Sequence, residues 1–442
     1  LSASAGRDLN VKSTTRSDSS TGVNYTSSNT HIDRVAGLYV ASEGKGTLIA
    51  SAGNDVNLIG AIVANQGSGS TTVRAGNDVN LGTLTTSESS RYQGKGSDYS
   101  NASHSQEVGS QILGNGGVGI SAGNDINIRQ GQVDAGDGLL MMNAGNNINI
   151  TAGRHISDTE SQTTGTVKTG IGLSKTTTTI YSQVHEDKAQ VSSLSGGMVS
   201  MSAGGMVSSE GTRISGQEGV YINGAGGVEL TEARDIHRAT SSSQSKTSGL
   251  STTGIGNTKQ STTTTTTTNN AVKGQIQSSH GGIAINGQDA AVRLQGTDVN
   301  AQGDVSIKGG AGVSITGATN TTQTTTETHT RGQAFLFGVH DGAEGWGAKK
   351  NGTSTTTQSE LVRTELSGAN IQLQAKKEDG TLGNVVLAGT TLNTPGTLSV
   401  QADKLLLATQ QTTTSISSQG QKRDLVGQKM RDSGPVDQQT HS

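Results

Sequence analysis

The sequence has 442 residues and a formal net charge of −3, with 64 glycines, 2 prolines, no cysteine and only 2% aromatic residues. So few aromatic residues exclude an ordinary globular core of this length, and the lack of cysteine excludes disulfides and thiolate metal sites. The charge balance excludes nucleic acid or an anionic bilayer as the main partner. No apolar run approaches the roughly 18–20 residues that span a membrane. A start at Leu1, without Met or a leader, is expected of an internal fragment.

One phrase recurs in the first third of the chain. AGNDVNL stands at 52–58 and again at 75–81, and the variants AGNDINI and AGNNINI stand at 122–128 and 144–150. The glycines of the first two phrases are 23 residues apart, and those of the last two are 22 apart. A repeated interval of this length is typical of one coil of a solenoid.

Each phrase predicts a turn followed by a strand. Apolar and polar residues alternate after the glycine, as in Asp55-Val56-Asn57-Leu58, which is the period of a strand with one buried face. The glycine is expected to supply a positive φ, and the Asn or Asp side chain is expected to close the turn. The predicted turn residues are Gly53, Asn54, Asp55, Gly76, Asn77, Asp78, Gly123, Asn124, Asp125, Gly145, Asn146 and Asn147.

Further short apolar stretches, such as 61–63 and 139–142, lie between the phrases. About three strands per coil of about 22 residues predict three faces, in which strands of successive coils pair in parallel about 4.8 Å apart. The same rhythm continues as far as 371–373 and beyond. The predicted fold is therefore all-β, a parallel β-helix that forms one continuous domain over 1–421, with 422–442 as a linker or the start of the next region.

Six Ser/Thr-rich excursions interrupt the coils, and their starts are 71, 72, 82, 80 and 90 residues apart. Their composition would also suit disordered or mucin-like stalks. Because Thr is β-branched and favours strands, we predict two-stranded hairpins. Two coils rise about 9.6 Å, which is the height of two strands, so successive hairpins are predicted to stack beside the β-helix as a second sheet. The predicted excursions are 14–35, 85–115, 157–193, 239–280, 319–360 and 409–421.

The residues that could carry chemistry are few. Calcium-binding β-helical repeats have a nine-residue period, and neutral Asn147 stands where the other phrases have Asp, so hydrogen-bonded stacks of Asn and Asp are the favoured interpretation of the turns. The carboxylate pairs that would suit a polysaccharide-cleaving β-helix are Asp134 with Asp137 and Glu378 with Asp379, and both lack a basic partner. The sequence therefore predicts no enzyme, no cofactor and no metal site.

One excursion holds both phenylalanines and the single tryptophan of the chain. Aromatic residues on a projecting loop can anchor a receptor or the interfacial zone of a bilayer, and packing against their own hairpin is the alternative. The predicted membrane or receptor contact residues are Phe335, Leu336, Phe337 and Trp346.

Three features resemble the haemagglutinin repeats of the filamentous haemagglutinin family. They are the repeated phrases, the related stretch Ala5-Gly6-Arg7-Asp8-Leu9-Asn10-Val11, and the unit that leads from Ala152-Gly153-Arg154 to a Gly-Ile-Gly-Leu centre at 170–173. More narrowly, they resemble the second repeat region of contact-dependent growth-inhibition effectors. The likeness is strongest over 36–260. It implies a right-handed β-helical filament that an outer-membrane two-partner transporter exports to the surface of a Gram-negative cell.

For function, the resemblance implies a non-catalytic filament segment that helps to deliver a C-terminal toxin across the outer membrane of a target cell. The implied partners are the transporter during export and then a receptor or the outer membrane of the target, with no nucleic acid and no small-molecule substrate. A filamentous adhesin that binds host cells and a β-helical carbohydrate-active enzyme are the alternatives.

Overall fold

A computed structural model describes residues 1–41, 44–170, 172–251, 254–335, 349–423 and 432–441. These residues form 42 β-strands, with no helix among them. The first fourteen strands are β1 (Ser2–Ala5), β2 (Leu9–Lys12), β3 (Thr14–Thr21), β4 (Tyr25–Arg34), β5 (Gly37–Val40), β6 (Leu48–Ala52), β7 (Val56–Ile59), β8 (Ile62–Asn65), β9 (Thr71–Ala75), β10 (Val79–Gly82), β11 (Leu84–Gln93), β12 (Tyr99–Val108), β13 (Gln111–Gly114) and β14 (Val118–Ala122).

The central part of the chain alternates short coil strands with long hairpin arms. Its strands are β15 (Ile126–Arg129), β16 (Gln132–Asp134), β17 (Leu139–Ala144), β18 (Ile148–Thr151), β19 (Gly153–Thr169), β20 (Ser174–Gln190), β21 (Ser193–Ala203), β22 (Met206–Glu210), β23 (Arg213–Gly224), β24 (Gly227–Thr231), β25 (Ala233–Ser251), β26 (Gly254–Val272), β27 (Gly274–Ser278) and β28 (Gly282–Asn286).

The same alternation continues to the carboxyl end of the described chain. The last fourteen strands are β29 (Ala291–Gln295), β30 (Thr297–Ala301), β31 (Val305–Lys308), β32 (Gly312–Thr316), β33 (Ala318–Phe335), β34 (Lys349–Val362), β35 (Thr364–Ser367), β36 (Ile371–Gln374), β37 (Asn384–Ala388), β38 (Thr390–Asn393), β39 (Leu398–Gln401), β40 (Lys404–Ala408), β41 (Thr413–Arg423) and β42 (Asp432–His441).

Three stacks of parallel strands form the faces of a β-helix, which confirms the predicted fold. Faces 1 and 2 belong to one sheet of 19 strands, because the long strands β21 and β23 continue across the corner between them. Face 3 is a separate sheet of 11 strands. Face 1 contains β1, β6, β9, β14, β17, β28, β31, β36 and β39, face 2 contains β5, β8, β13, β16, β27, β30, β35 and β38, and face 3 contains β2, β7, β10, β15, β18, β22, β24, β29, β32, β37 and β40.

Aliphatic side chains stack in rows inside the β-helix. On face 3, Val79 pairs with Val56 and Ile148 pairs with Ile126, each one coil further along, and all four side chains are fully buried. Because successive side chains of a strand point to opposite faces, the alternation in the sequence sends every second residue into the core. Rows of Val, Leu and Ile therefore replace the aromatic residues that an ordinary core would use.

The hairpins all leave the β-helix at one corner, after a face 3 strand and before a face 2 strand, and they do so at every second coil. Two coils rise about 9.6 Å, which is also the height of the two strands of a hairpin. Each hairpin therefore pairs with the next, and together they form a continuous antiparallel sheet of 12 strands. The predicted stacking of the hairpins into a second sheet, which we call the hairpin sheet, is confirmed.

In the coils without a hairpin, one residue in the left-handed conformation turns the chain at the same corner. These residues have φ values between 50° and 62°, a region that glycine adopts without steric cost. Gln130, with a φ of 50°, is the non-glycine member of the set. The glycines are Gly60, Gly211, Gly296 and Gly389.

The glycine of the turn phrase has another role than the predicted one. Gly53, Gly76, Gly123 and Gly145 are not among the residues with positive φ. A Cβ atom on Gly76 would instead collide with the carbonyl oxygen of Gly53 in the preceding coil. The expectation of positive φ at these positions is wrong, because it is the close stacking of successive turns that selects glycine.

The first hairpin, over 14–34, matches its predicted Ser/Thr-rich stretch, whereas the bounds of other hairpins are shifted from theirs. The third hairpin spans 153–190, whereas composition placed it at 157–193. Charged and aliphatic residues occupy the bases of the arms, and composition does not distinguish them from coil residues. At the carboxyl end, β42 pairs with β41, so residues 432–441 form a second arm within the stretch 422–442, for which the sequence predicted a linker or the start of the next region.

Replacing Ile126 by Ala removes a fully buried side chain from a face 3 row. The cavity should lower the free energy of unfolding by about 2–5 kcal/mol. Urea denaturation followed by circular dichroism measures this, with Thr72→Ala, on the outer surface of face 1, as the matched control. Equal stability of the two variants would contradict a core built from stacked rows.

Candidate functional site

Buried hydroxyl groups line the corner from which the hairpins leave. Ser13 Oγ donates to the carbonyl oxygen of Gly60 (2.6 Å) and accepts from Ala36 N (2.9 Å). Thr364 Oγ1 donates to the carbonyl oxygen of Thr316 (2.7 Å). An unpaired buried backbone group costs about as much as a lost hydrogen bond, so these hydroxyls stabilise the interruption of the coil by a hairpin.

Arginine side chains tie the base of one hairpin to the base of the next. Arg154, at the start of the third hairpin, donates through Nη1 to the carbonyl oxygen of Arg234 at 2.6 Å. Arg234, at the start of the fourth hairpin, donates through Nη1 to the carbonyl oxygen of Thr319 at 2.6 Å. Its guanidinium also pairs with Glu232, whose side chain is only 3% exposed. These contacts fix the position of the hairpin sheet on the β-helix.

The predicted turn residues form a ladder of side-chain hydrogen bonds. Asn77 Nδ2 donates to Asp55 Oδ1 at 2.9 Å, and the backbone N–H of Asp78 donates to the same oxygen at 3.1 Å. Asn124 and Asp125 make the equivalent bonds to Asp78 at 2.8 and 3.0 Å. Towards the amino end, Asn54 makes the same side-chain bond to Asp8. Towards the carboxyl end, Asn146 and Asn147 donate to Asp125, and Met206 N donates to Asn147.

Asp55, Asp78 and Asp125 each accept two hydrogen bonds from neutral N–H donors of the next coil. The hydrogen bond from Asn54 lowers the pKa of Asp8. Asn147 accepts through Oδ1 from Met206 N at 2.8 Å, so a neutral amide replaces aspartate without loss of the acceptor. In the part of the chain that the structure describes, no group of three or more His, Asp or Glu residues could hold a metal ion.

The hairpin sheet carries rows of hydroxyl side chains on adjacent strands. Thr264 Oγ1 lies 3.4 Å from Thr326 Oγ1, and Thr266 Oγ1 lies 3.3 Å from Thr324 Oγ1. Cross-strand hydroxyl pairs of this kind stabilise a sheet that has no apolar face. One row crosses eight strands without interruption, through Ser100, Ser161, Ser182, Ser241, Thr264, Thr326, Ser354 and Ser418.

A carboxylate with two phenols lies on the opposite face of the hairpin sheet, and sequence reasoning missed it. Tyr99 Oη donates to Glu160 Oε1 at 2.8 Å, and Asn101 Nδ2 donates to Glu160 Oε2 at 3.4 Å. The hydrogen bond to Glu160 raises the pKa of Tyr99 to about 12 and lowers that of Glu160. Burial, followed by the charge of Glu160, raises the pKa of Tyr181.

The predicted contact residues lie at the edge of the described chain. Phe335 is the last residue of β33, where its backbone pairs with Ile255 of β26. Its side chain lies outside the described residues, as do Leu336, Phe337 and Trp346. Their role as a membrane or receptor contact stays a prediction. Elsewhere along the described chain, no helix has both the length and the apolar character needed to span a bilayer.

The candidate catalytic carboxylates Asp134, Asp137 and Asp379 accept hydrogen bonds from other groups of the protein. Asp134 Oδ1 accepts from Gly136 N and from Ser195 Oγ, both at 3.0 Å. Asp137 accepts from Gln217 Nε2 at 2.9 Å. Asp379 accepts from Thr381 N at 2.8 Å, and this bond lowers its pKa. The backbone N–H of Glu378 donates to Asp289 Oδ1 at 2.9 Å.

A parallel β-helix with side chains laddered between its coils and a lateral sheet of polar hairpins defines a solenoid protein of the β-helix class. A family model described as Hemagglutinin repeat matches residues 90–185, 169–259 and 253–423. These matches cover more than half of the chain, and the chain belongs to the hemagglutinin repeat family. The match extends well beyond residue 260, where the recurring phrases lose their wording but the alternation of coils and hairpins continues.

Hemagglutinin repeats belong to filamentous, adhesin-like proteins that are secreted or displayed at the cell surface, typically as substrates of two-partner secretion. The family is structural rather than enzymatic. The predicted resemblance to a filamentous haemagglutinin repeat region is confirmed at this level. Neither the comparison with curated proteins nor that with solved structures gives a significant match.

Replacing Asp78 by Ala removes the acceptor of two hydrogen bonds between coils. We expect the free energy of unfolding to fall by about 1 kcal/mol or more. Asp78→Asn keeps an acceptor oxygen, as Asn147 does, and should be close to the parent in chemical denaturation. A calcium site would behave differently: calcium would then stabilise the parent chain, EDTA would destabilise it, and Asp78→Asn would be as damaging as Asp78→Ala.

The hydrogen bond between Tyr99 and Glu160 predicts that the stability of the protein depends on pH. The pKa of Tyr99 is raised from 10.0 to about 12, so its contribution to stability is complete below pH 10 and is lost as the pH rises through about 12. The lowered pKa of Glu160 gives a contribution that is lost as the pH falls through that pKa. NMR titration of labelled tyrosine rings should show the pKa of Tyr99 returning towards 10 in Glu160→Gln and unchanged in the control Glu88→Gln. A Tyr99 pKa near 10 in the parent chain would contradict this contact.

Proposed function

We propose that this segment is part of a surface filament that helps to deliver a C-terminal toxin across the outer membrane of a target bacterium. In this proposal the β-helix acts as a stiff spacer, since every coil is bonded to the next along its three faces. The hairpin sheet is the surface that meets the target cell. The secreting cell is Gram-negative, and the filament reaches its surface through a two-partner transporter.

The observation that supports this division of roles is the exposure of the hairpin sheet. All eight residues of β3 are exposed, and the arms of the other hairpins are exposed or half-buried along most of their length. An antiparallel sheet commonly packs one apolar face on a core. The hairpin sheet is joined to the β-helix at its roots and presents polar surfaces on both sides, so it is available to another molecule. A spacer alone would not require such a sheet.

An adhesin that binds host cells is the second candidate, and membership of the hemagglutinin repeat family favours it. Both functions use the same spacer and the same exposed sheet. They differ in the cell that is bound and in the step that comes after attachment. The experiment must therefore measure export, attachment and killing separately.

Replacing Phe335, Phe337 and Trp346 together by Ser in the full-length parent protein tests the predicted contact. Export and surface display should be unchanged, because the substitutions fall in a hairpin excursion and leave the coil strands of the sequence unaltered. Attachment to target bacteria and killing in competition assays should fall about tenfold or more if the aromatics anchor the filament, since buried aromatics dominate the energetics of interfaces.

The matched control replaces Thr322, Thr324 and Thr326, on the first arm of the same hairpin, by Ser. Unchanged attachment and killing in the aromatic variant would contradict a contact role for these residues. Loss of attachment to host cells with normal killing of bacteria would favour the adhesin.

A further inference from the structure

Neighbouring hairpins pair along most of their length, but the ladder between them ends before the corner of the β-helix. We call the resulting opening at the root of two hairpins a fork. In the fork between β20 and β25, Asp235 lies next to the last pair and accepts from Ala189 N at 2.7 Å. In the fork between β26 and β33, Asn320 accepts from Ala271 N at 2.8 Å in the same way. One side chain closes each of these forks.

The fork between β12 and β19 is closed from the other strand. Arg154 stands at the position of Asp235 and Asn320 and has no acceptor in its side chain. Glu107 accepts from the backbone N–H of Arg154 at 2.7 Å instead. Closure is therefore maintained in this fork although the residue type at the closing position changes.

The first fork, between β4 and β11, is different. Its last pair is Thr30 with Ser87, so Thr86 stands at the closing position. Thr86 Oγ1 donates to the carbonyl oxygen of Gln106 on the next strand at 3.3 Å, and no side chain in the described chain bridges the two strands here. The open fork forms a groove of about 430 Å³. Besides hydroxyl side chains, its lining has the amide, imidazole and carboxylate side chains of Asn29, His31, Glu88, His104, Gln106 and His155.

The register places these side chains on one face of the hairpin sheet. Glu88 pairs with His104 and also with Asn29, and Gln106 pairs with His155. None of these five side chains makes a hydrogen bond or an ion pair with another described residue. Asn29, Glu88, His104 and Gln106 are exposed, so water satisfies their polar groups in the free protein, and a ligand in the groove would replace that water.

His31 adds a second observation. Its Nδ1 atom is buried and has no hydrogen-bond partner in the described structure, and Asp18 Oδ2 lies 3.9 Å away, at the limit of an ion pair. A buried polar atom without a partner is destabilising unless water or a ligand satisfies it.

We propose that this groove binds a short neutral oligosaccharide. Sugar hydroxyls both donate and accept hydrogen bonds, and the lining offers both in the amides of Asn29 and Gln106, the imidazoles and the carboxylate of Glu88. The volume lies within the range of small-ligand clefts, about 300–1,000 Å³. The groove is open to solvent, as a site for one part of a longer glycan must be.

Charge and polarity decide against other ligands. No lysine or arginine lines the groove, so at neutral pH it offers a carboxylate and no fixed positive charge to a phosphate or sulfate. Ile32 is the single aliphatic residue in the lining, so the groove is a poor site for an acyl chain. The site lies on the first two hairpins, far along the chain from the aromatic residues at 335–346, and the proposal holds equally for a toxin carrier and for an adhesin.

The experiment measures sugar binding to the purified 442-residue chain by saturation-transfer difference NMR and calorimetry. The neutral probes are chitotriose, lactose and maltotriose, and 3′-sialyllactose is the anionic probe. At least one neutral probe should bind at pH 7.5. The double variant His104→Ala with Gln106→Ala should weaken that binding at least about tenfold, and the control His237→Ala, on the same face of the sheet, should not.

A second variant tests the fork without removing a lining side chain. Thr86→Asn should bridge to Ile32 N as Asn320 bridges to Ala271 N, close the groove and abolish binding, with thermal stability unchanged or raised. Normal sugar binding in Thr86→Asn would overturn the proposal. So would the absence of neutral-sugar binding, binding of 3′-sialyllactose alone that strengthens at pH 5.5, or binding of Zn²⁺ that His104→Ala abolishes.

Discussion

Parallel hydrogen bonding between the backbones of successive coils is the interaction on which the rest of this structure depends. It sets the rise of each coil at about 4.8 Å and stacks like residues on like residues. Val56 therefore meets Val79 in the core, and Asp55 meets Asn77 at the turn. The same rise brings the turns so close together that Gly53 and Gly76 have no room for a side chain. The apolar rows of the core, the Asn and Asp ladder and the need for glycine in the turns therefore all result from the rise per coil.

The hairpin sheet derives its order from that spacing. A hairpin adds two strands at every second coil, so both structures grow by the same height and neighbouring hairpins stay in register over 12 strands. A sheet without an apolar face would be marginal by itself. Here the buried hydroxyls of the corner, the arginines at the hairpin bases and the Thr and Ser rows hold it. Its faces are therefore free of the packing that usually buries one side of an antiparallel sheet.

The functional surfaces arise from small departures from this regularity. Of the five forks between neighbouring hairpins, three are closed by Glu107, Asp235 and Asn320, and the first, between β4 and β11, is open. The carboxylate of Glu160 is held between donors on the other face of the sheet. In a repetitive structure a binding site requires no new fold, because one substitution at a repeated position changes the local surface while the backbone is unaltered.

The sequence alone determined the period of the coil, the alternation of buried and exposed residues and the spacing of the hairpins, because each of these is written locally and repeated. The stacking of Asn and Asp in the turns was also predictable, since Asn147 stands at the position of Asp125. Tertiary structure alone decided which residues meet across the hairpin sheet. Tyr99 and Glu160 are 61 residues apart, and Arg154 bonds to a carbonyl 80 residues further on. Such pairs depend on the register between hairpins. That register is set by the number of coils between two hairpins and by the length of each arm, and no local sequence pattern shows both.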